Sequence, residues 1–239
     1  MAQAVAFDGV DDQMVYGSPP ELTGALSMLI VCRILVTADD TWLSLIENET
    51  SGATGRSSIG RRGGSGEFYF SNELGISSVT VITDPDGWVI LCATKASGSA
   101  APQMHRIIIG GARTTAAGGT ALGNDSAYAA GNARIGGNDD FANIAVACAA
   151  TWAGTVLTTT QLDGINTAKT SQSILDLSPS WMVDASDGLV LDQVGSADRT
   201  SVVGTSAAAN DPTGWVYLGG AAVYVPRHPA HDHGSVTIF

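Results

Sequence analysis

The sequence predicts an all-β fold, a sandwich of two antiparallel sheets with one short helix and an irregular C-terminal extension. Three observations support this prediction. The 239 residues are only 14% charged and include 29 glycines, a composition that suits strands and tight turns better than helical bundles. Apolar residues alternate with period two in many short stretches, as in half-buried strands. Helical periodicity behind a capping sequence is clearest at one place, after Thr158.

Short predicted strands separated by turn residues follow one another along the first 110 residues. Ala4–Phe7 and Gln13–Tyr16 flank the Asp8–Asp12 turn, and Asp84–Gly87 is a second turn in which Pro85 stands at the favoured position. The other predicted strands are Leu26–Val36, Trp42–Ile46, Ser58–Gly60 paired with Glu67–Phe70, Ser77–Thr83, Trp88–Thr94 and His105–Ile109.

The stretch from Ile135 to Ile165 contains the clearest pattern in the chain. Small and large apolar residues alternate from Phe141 to Trp152, which predicts a buried strand. After Trp152 the spacing of the apolar residues changes from the period of a strand to that of a helix. Thr158 and Gln161 fit a capping box, in which the hydroxyl accepts a bond from a free helix N–H group and Gln161 bonds back. A helix is therefore expected from about residue 158 to 167.

This arrangement resembles the concanavalin A-like lectin and glucanase superfamily, in its laminin-G-like branch. Phe7–Met14 (FDGVDDQM) is similar to the opening of many such domains, and Gly87–Cys92 followed by Met104–Gly111 is similar to a strand pair of the family. The resemblance covers roughly the first 165 residues and implies a jelly-roll sandwich. We therefore expect a laminin-G-like domain over residues 1–168 and a separate extension over residues 169–239.

The segments Trp181–Asp184, Leu189–Asp192, Thr200–Gly204 and Asp211–Trp215 of the extension are similar to the corresponding segments of laminin-G-like proteins encoded by bacteriophages. A second short helix is expected over Thr170–Leu177, ended by Pro179, and the part that follows contains few strand-like patterns. We expect the extension to pack on the sandwich through Trp181 and Trp215 or to contact a partner subunit. The resemblance implies a virion component, present in many copies or as a homo-oligomer, that contacts other capsid or tail proteins.

Charge and hydropathy argue against several classes of protein. The net charge is −12 with 11 Lys and Arg residues, and a phosphate backbone requires clustered cations, so no nucleic-acid partner is expected. No apolar run approaches about 18 residues, so no membrane span is expected. The first nine residues lack the pattern of a signal peptide, and assembly in a host cytoplasm is expected.

Three cysteines within strand-like runs indicate reduced core thiols.

The glutamates do not form the acidic run that glucanases of this superfamily carry on one strand. Alternation would place such acids on one face, where one is the nucleophile and another the acid. Glu47 and Glu49 come closest, but the central Asp and the third acid are missing, and a solvated pair at a strand end is the competing interpretation. The sequence therefore predicts a protein that is not an enzyme. A glycoside hydrolase with an atypical acid pair is the third alternative.

Two groups of residues are candidate metal ligands, although no cofactor is required. Aspartates recur in turns, and Ca²⁺ binds such oxygen ligands; the preferred set is Asp8 with Asp139 and Asp140, on the expectation that these loops converge. Ordinary turn structure is the competing interpretation for each aspartate cluster. The terminal segment His228–His233 contains three imidazoles, which suit Zn²⁺ or Ni²⁺; a mobile segment or a partner contact is the competing interpretation. His105 is expected to be a hydrogen-bonded core residue.

Glycan binding would use aromatic faces beside amide groups. The candidate residues are Trp42, Tyr69, Trp88 and Asn138, and core packing is the competing and preferred interpretation for each aromatic residue. The leading hypothesis is a non-catalytic structural protein of a phage virion, a minor tail protein or a capsid decoration protein with a lectin-like domain. The alternative is a carbohydrate-binding module that recognises a cell-surface glycan.

Overall fold

Fifteen strands in the described part of the computed structural model form two antiparallel sheets. The structure describes residues 3–17, 19–20, 22, 24–35, 42–49, 56–62, 67–72, 75–77, 87–98, 101–117, 132–137 and 141–218. The strands are β1 (Val5–Asp8), β2 (Gln13–Gly17), β3 (Leu26–Ile34), β4 (Trp42–Glu49), β5 (Arg56–Arg62), β6 (Glu67–Asn72), β7 (Gly75–Ser77), β8 (Trp88–Lys95), β9 (Gln103–Ile108), β10 (Arg113–Ala117), β11 (Asn132–Ile135), β12 (Asn143–Ala153), β13 (Trp181–Asp184), β14 (Arg199–Val203) and β15 (Ser206–Ala207).

Each sheet combines strands from distant parts of the chain. The first sheet runs β10-β9-β8-β3-β12-β1-β15, with β13 also paired to β12, and the second runs β14-β2-β11-β4-β5-β6-β7. Every pairing between these strands is antiparallel. The prediction of an all-β sandwich with two antiparallel sheets and a short helix is confirmed. The predicted pairing of residues 58–60 with residues 67–70 is also confirmed.

Strand β12 is the longest strand of the first sheet and organises it. One of its edges pairs with β3 throughout, and its other edge pairs with β1 in the first half and with β13 in the second. The register against β3 shifts between Val146 and Cys148, so Ala147 is the extra residue of a bulge. Residues 144–152 are all buried, because the strand is covered on both faces. The strand predicted between Phe141 and Trp152 is confirmed.

The space between the two sheets is filled with apolar side chains. Phe7, Met14, Ile30 and Phe70 are fully buried there, and alternation along each strand points them towards the facing sheet. The rings of Tyr16 and Trp181 meet edge to face, with centroids 5.1 Å apart at an interplanar angle of 72°. Such a pair contributes about 0.5–1.5 kcal/mol beyond its buried area.

Two helices lie beyond the first sheet. The helix α1 (Thr159–Ala168) begins with the predicted capping box, in which the Thr158 side chain accepts from the Gln161 N–H. The helix α2 (Ser171–Leu175) follows at once, as predicted. Their apolar side chains are buried, namely Leu162, Ile165 and Ile174. None of the helices in the described residues is long and apolar enough to cross a membrane.

The extension supplies strands to both sheets. Strand β13 pairs with β12 and β15 with β1 in the first sheet, whereas β14 pairs with β2 in the second. Asp211 fastens the beginning of the chain to this region: its carboxylate accepts from the N–H groups of Gln3 and Ala4, each at 2.8 Å. The main-chain hydrogen bonds of β13, β14 and β15 thus make residues 181–207 part of the sandwich.

The buried thiols and the buried histidine occupy the predicted environments. Cys32, Cys92 and Cys148 are free and buried, and burial raises the pKa of each thiol. His105 is 1% exposed, and its ring nitrogens lie 3.3 Å from the Thr94 hydroxyl and 2.9 Å from the Thr115 hydroxyl. Three predicted features lie outside the described residues, namely the strand Ser77–Thr83 apart from Ser77, the turn Asp84–Gly87 apart from Gly87, and the segment His228–His233.

Candidate functional site

A line of polar side chains crosses the outer face of the second sheet. The strand register aligns Arg134 on β11 with Glu47 on β4, Glu47 with Ser58 on β5, and Ser58 with Ser71 on β6. Their neighbours along each strand, such as Ala133 and Ile46, belong to the core. Because successive residues of a strand point to opposite faces, these four side chains lie on the side away from the first sheet. We call Arg134, Glu47, Ser58 and Ser71 the polar row.

Contacts within the polar row connect neighbouring strands. The hydroxyl oxygens of Ser58 and Ser71 are 2.7 Å apart, which is a hydrogen bond. Nε of Arg134 lies 3.8 Å from Oε1 of Glu47, the distance of an ion pair, and Nη1 of Arg134 donates to Oε1 of Gln13 at 3.2 Å. Glu47 is fully buried and Ser58 is 2% exposed, although both point away from the space between the sheets.

Tyr69 lies beside the polar row on the same face. It pairs with Gly60 of β5, and a methyl group built on Gly60 would lie 2.2 Å from Cζ and from Oη of the ring. The phenol oxygen is 3.4 Å from the Leu43 carbonyl oxygen. The ring therefore extends across the glycine towards β4, an arrangement that requires the absence of a side chain at position 60. Tyr69 is 6% exposed.

The other predicted glycan-binding residues are not brought together with Tyr69. Trp88 lies on the outer face of the first sheet, where its Nε1 is 3.4 Å from Oδ1 of Asn210 in the extension, and it is 8% exposed. Only the backbone of Trp42 is described, in β4. Asn138 lies outside the described residues. Tyr69 and Trp88 therefore belong to opposite sides of the sandwich.

The described carboxylates on the outer face of the second sheet are far apart. Glu47 and Glu67 both point outwards, but Glu67 lies four residues along β6 from the residue in line with Glu47. Strand geometry separates them by about 16 Å, whereas the two acids of a glycoside hydrolase lie about 5–9.5 Å apart. Glu49 is on the same side of β4 as Glu47, and its side chain lies outside the described residues.

The preferred calcium set is described only in part. Asp139 and Asp140 lie outside the described residues, so the expected convergence with Asp8 stays a prediction. The structure instead brings Asp8 together with Asp11 and Asp12, and one carboxylate oxygen of each lies within 4.8 Å of the others. This cluster occupies the turn between β1 and β2, at the rim of the sandwich.

Sequence reasoning missed most of the polar row. Arg134, Ser58 and Ser71 stand in unremarkable polar surroundings, and only the register of β11, β4, β5 and β6 aligns them. One signal was available, since Glu47 follows three apolar or small residues within a strand-like run and therefore needs a partner if it is buried. That signal does not identify which arginine supplies the partner.

Comparisons with known proteins concern the overall shape. No protein-family model matches the sequence, and no curated protein matches it. Among solved structures, the chain is similar to a tailspike protein of the Escherichia coli O157:H7 bacteriophage CAB120, with a TM-score of 0.44 and 12% identity over 69% of this chain and 27% of that one. The chain thus spans about a quarter of the tailspike.

The chain is also similar to two proteins of other kinds. A sialidase carbohydrate-binding module from Ruminococcus gnavus, solved with sialyllactose, gives a TM-score of 0.41 at 11% identity over 70% of this chain and 99% of that one. The Scytalido-glutamic peptidase gives a TM-score of 0.33 at 7% identity over 61% of this chain and 82% of that one. At these TM-scores no residue role is carried over, and membership of the laminin-G-like branch stays a prediction.

Proposed function

We propose that the chain is a non-catalytic structural and binding protein of a phage virion, a minor tail protein or a capsid decoration protein. The virion role rests on the sequence resemblance to phage-encoded laminin-G-like proteins. The binding role rests on one structural observation, the polar row on the outer face of the second sheet. The outer face of the first sheet, in contrast, is used for packing of the helices and the extension.

The chemistry of the polar row favours binding over catalysis. Glu47 is fully buried beside Arg134, whereas a catalytic carboxylate must contact its substrate. Glu67, the other described carboxylate on this face, is too distant to act together with Glu47. The Arg134 guanidinium and the Ser71 hydroxyl are only partly buried, and such groups are well suited to hydrogen bonding with a glycan or with a polar protein surface. A glycan on a cell surface is the second candidate ligand.

The virion role is tested by examining purified particles. If the proposal is correct, mass spectrometry of gradient-purified virions detects the chain at many copies per particle, and immunogold labelling places it on the head or on the tail. A chain that is abundant in the lysate but absent from purified particles would contradict the virion role. That result would leave the binding role to be judged separately.

The binding role is tested on a glycan array with the purified chain. We expect Arg134→Ala to abolish any binding that the natural chain shows, because this substitution removes the cation of the polar row. Arg33→Ala is the matched control. It makes the same change of charge on the outer face of the first sheet, where Arg33 donates to Asn210. Equal loss in both variants, or no binding by the natural chain, argues against a glycan-binding face and leaves a protein contact.

A further inference from the structure

Strand β14 forms an open edge of the second sheet. Among the described strands it pairs with β2 alone, and four of its five residues are exposed. The Arg199 N–H donates to the Val190 carbonyl oxygen at 2.9 Å, and the Val203 carbonyl oxygen accepts from the Thr205 N–H at 2.9 Å. Between these two bonds lie residues 200–203, where alternate N–H and C=O groups of an edge strand point away from the sheet.

The other described sheet edges are protected more fully than β14. The strands β15 and β7 contain two and three residues, and such short strands offer little to pair with. On β10, Arg113 forms an ion pair with Asp163 at 2.8 Å, and a charged edge disfavours a further strand. Residues 200–203 contain no charge and no proline. The bulge between Arg199 and Ser201 lies at the beginning of β14 and leaves the register beyond it regular.

Exposed apolar side chains follow this edge. Val202 is 44% exposed and Val203 is 40% exposed, and as successive residues of a strand they point to opposite faces of the sheet. Leu191, beside the beginning of β14, is 50% exposed, and Val10, in the turn between β1 and β2, is 72% exposed. We call Val10, Leu191, Val202 and Val203 the apolar edge. A group of exposed apolar side chains in one place is typical of an interaction surface.

Acidic residues lie where β14 ends. A methyl group built on Gly204, the residue after Val203, would lie 3.4 Å from Oδ1 of Asp11. Asp11 and Asp8 are both exposed, and one carboxylate oxygen of each lies within 4.8 Å of the other. Val10 stands between these two aspartates in the sequence. This end of the apolar edge is therefore negative.

The opposite end of the apolar edge is negative as well. The Asp187 carboxylate accepts from the N–H groups of Val190 and Leu191, and the exposed Asp198 directly precedes Arg199. The Arg199 guanidinium offsets only one of these two negative charges. The whole chain carries a net charge of −12. A second copy would oppose negative ends in either orientation, and like charges at close range disfavour such a contact.

We propose that β14 accepts an extended segment of a partner protein as an additional strand, and that this segment carries apolar side chains between Lys or Arg residues. Its main chain bonds to residues 200–203, which is a known mode of peptide recognition. Its alternating side chains cover Val202 on one face and Val203 on the other. Its cations meet Asp11 at one end and Asp198 at the other. Because β2 separates β14 from the polar row, this surface is independent of the proposed binding face.

The experiment measures the binding of defined peptides to the full chain by NMR titration. The probe is a short peptide in which valine and threonine alternate between two terminal lysines. One comparison peptide replaces the lysines with glutamates, and another has an N-methylated main chain that cannot donate hydrogen bonds. We expect the lysine peptide to shift the amide signals of residues 200–203. Both comparison peptides should bind at least about tenfold more weakly, through charge repulsion and through lost main-chain bonds respectively.

Two variants and their controls locate the contact. Val203→Ser removes an exposed apolar side chain, so it should fold normally and weaken binding of the lysine peptide about tenfold. Val156→Ser is the matched control, because Val156 is 38% exposed and lies between β12 and α1. Asp11→Asn should weaken the lysine peptide and reduce the dependence of its affinity on salt. Asp163→Asn, on α1, should change neither quantity.

Three outcomes would overturn the proposal. Equal binding of the lysine and glutamate peptides would exclude a basic partner, and equal weakening by Val203→Ser and Val156→Ser would exclude this edge. Unchanged amide signals of residues 200–203 at millimolar lysine peptide would exclude strand addition. Analytical ultracentrifugation tests the other occupant: a dimer of the natural chain that Val203→Ser dissociates would show that a second copy, and not a basic segment, occupies β14.

Discussion

The outer faces of the two sheets differ in what they contact. On the first sheet, Trp152 is 1% exposed and its indole N–H donates to the Leu177 carbonyl oxygen at 2.9 Å. Leu162 and Ile165 of α1 are buried on the same side of the molecule. On the second sheet, the corresponding face carries the polar row and Tyr69. The outer face of the first sheet is therefore covered by apolar side chains of the helices, whereas the described outward-pointing residues of the second sheet are mostly polar and include the buried Glu47 and Ser58.

This difference separates a face that stabilises the fold from the face that we propose for binding. A face that buries apolar area contributes to folding at about 25 cal/mol for each Å² removed from water. A row of hydrogen-bonded polar groups contributes little net stability, because the same groups bond to water in the unfolded chain. Substitutions on the first sheet's outer face should thus lower stability, whereas those on the second should mainly affect binding.

The largest effect is expected for Trp152→Ala on the outer face of the first sheet. The substitution leaves a large cavity under the extension, and it removes the donor to Leu177. We expect the free energy of unfolding to fall by about 3–5 kcal/mol, measured by urea denaturation. The control is Val156→Ala, because Val156 is 38% exposed and should change stability by less than about 0.5 kcal/mol. Similar values for both variants would mean that this face is not core.

A strong pH dependence is expected from His105, near the edge of the first sheet. Burial lowers its pKa to about 4, and the charge of Arg113 adds to the effect while Asp163 opposes it. The unfolded chain therefore takes up this proton at a higher pH than the folded chain. Stability from this group is complete above about pH 6.5 and is lost as the pH falls towards about 4.

The histidine prediction is tested by comparing the natural chain with His105→Gln. Between pH 7 and pH 4 the natural chain should lose about 2–3 kcal/mol more than the variant, because only the natural chain protonates this position on unfolding. Urea denaturation at both pH values measures the difference. The raised pKa values of Asp184 and Asp187 act in both proteins and therefore cancel. Equal losses of unfolding free energy in the two proteins would show that His105 is not the source of the pH dependence.

A smaller loss is expected for Asp211→Ala, which releases the extension from β1. Its Oδ1 accepts from two main-chain N–H groups and from the Tyr217 hydroxyl at 2.8 Å. We expect a decrease of about 1–3 kcal/mol and faster hydrogen exchange at the amides of Gln3 and Ala4. Asp176→Ala is the control, since that exposed carboxylate accepts only a helical side-chain bond from Gln172 among the described residues. Unchanged hydrogen exchange at these two amides in Asp211→Ala would show that Asp211 does not hold this part of the chain in place.

The smallest effect is expected on the polar row itself. Ser58→Ala removes one partner of the 2.7 Å contact with Ser71 and should cost about 0.5–1.5 kcal/mol. The double variant Ser58→Ala with Ser71→Ala should lose less than the sum of the two single variants, because no unpaired hydroxyl remains. Thermal unfolding of the four proteins measures the coupling. A loss as large as that of Trp152→Ala would mean that the two outer faces are energetically alike.

The strands and helices predicted most accurately are those whose signal lies in residues close together in the sequence. The alternation between Phe141 and Trp152 and the capping box at Thr158 correspond to β12 and α1, because both signals depend on residues within one turn or one strand. The extension was predicted to contain few strands, and it contributes three short ones, β13 to β15. Four of the five residues of β14 are exposed, so no apolar alternation reveals that strand in the sequence.

The sequence alone determined the fold class and the start of α1, because composition, hydrophobic period and capping chemistry are properties of neighbouring residues. The tertiary structure alone decided which side chains meet. Arg134 lies beside Glu47, and Asp12 lies beside Gly204, although 87 and 192 residues separate them along the chain. Strand register sets these contacts, and a shift of one residue would turn every side chain of a strand to the other face.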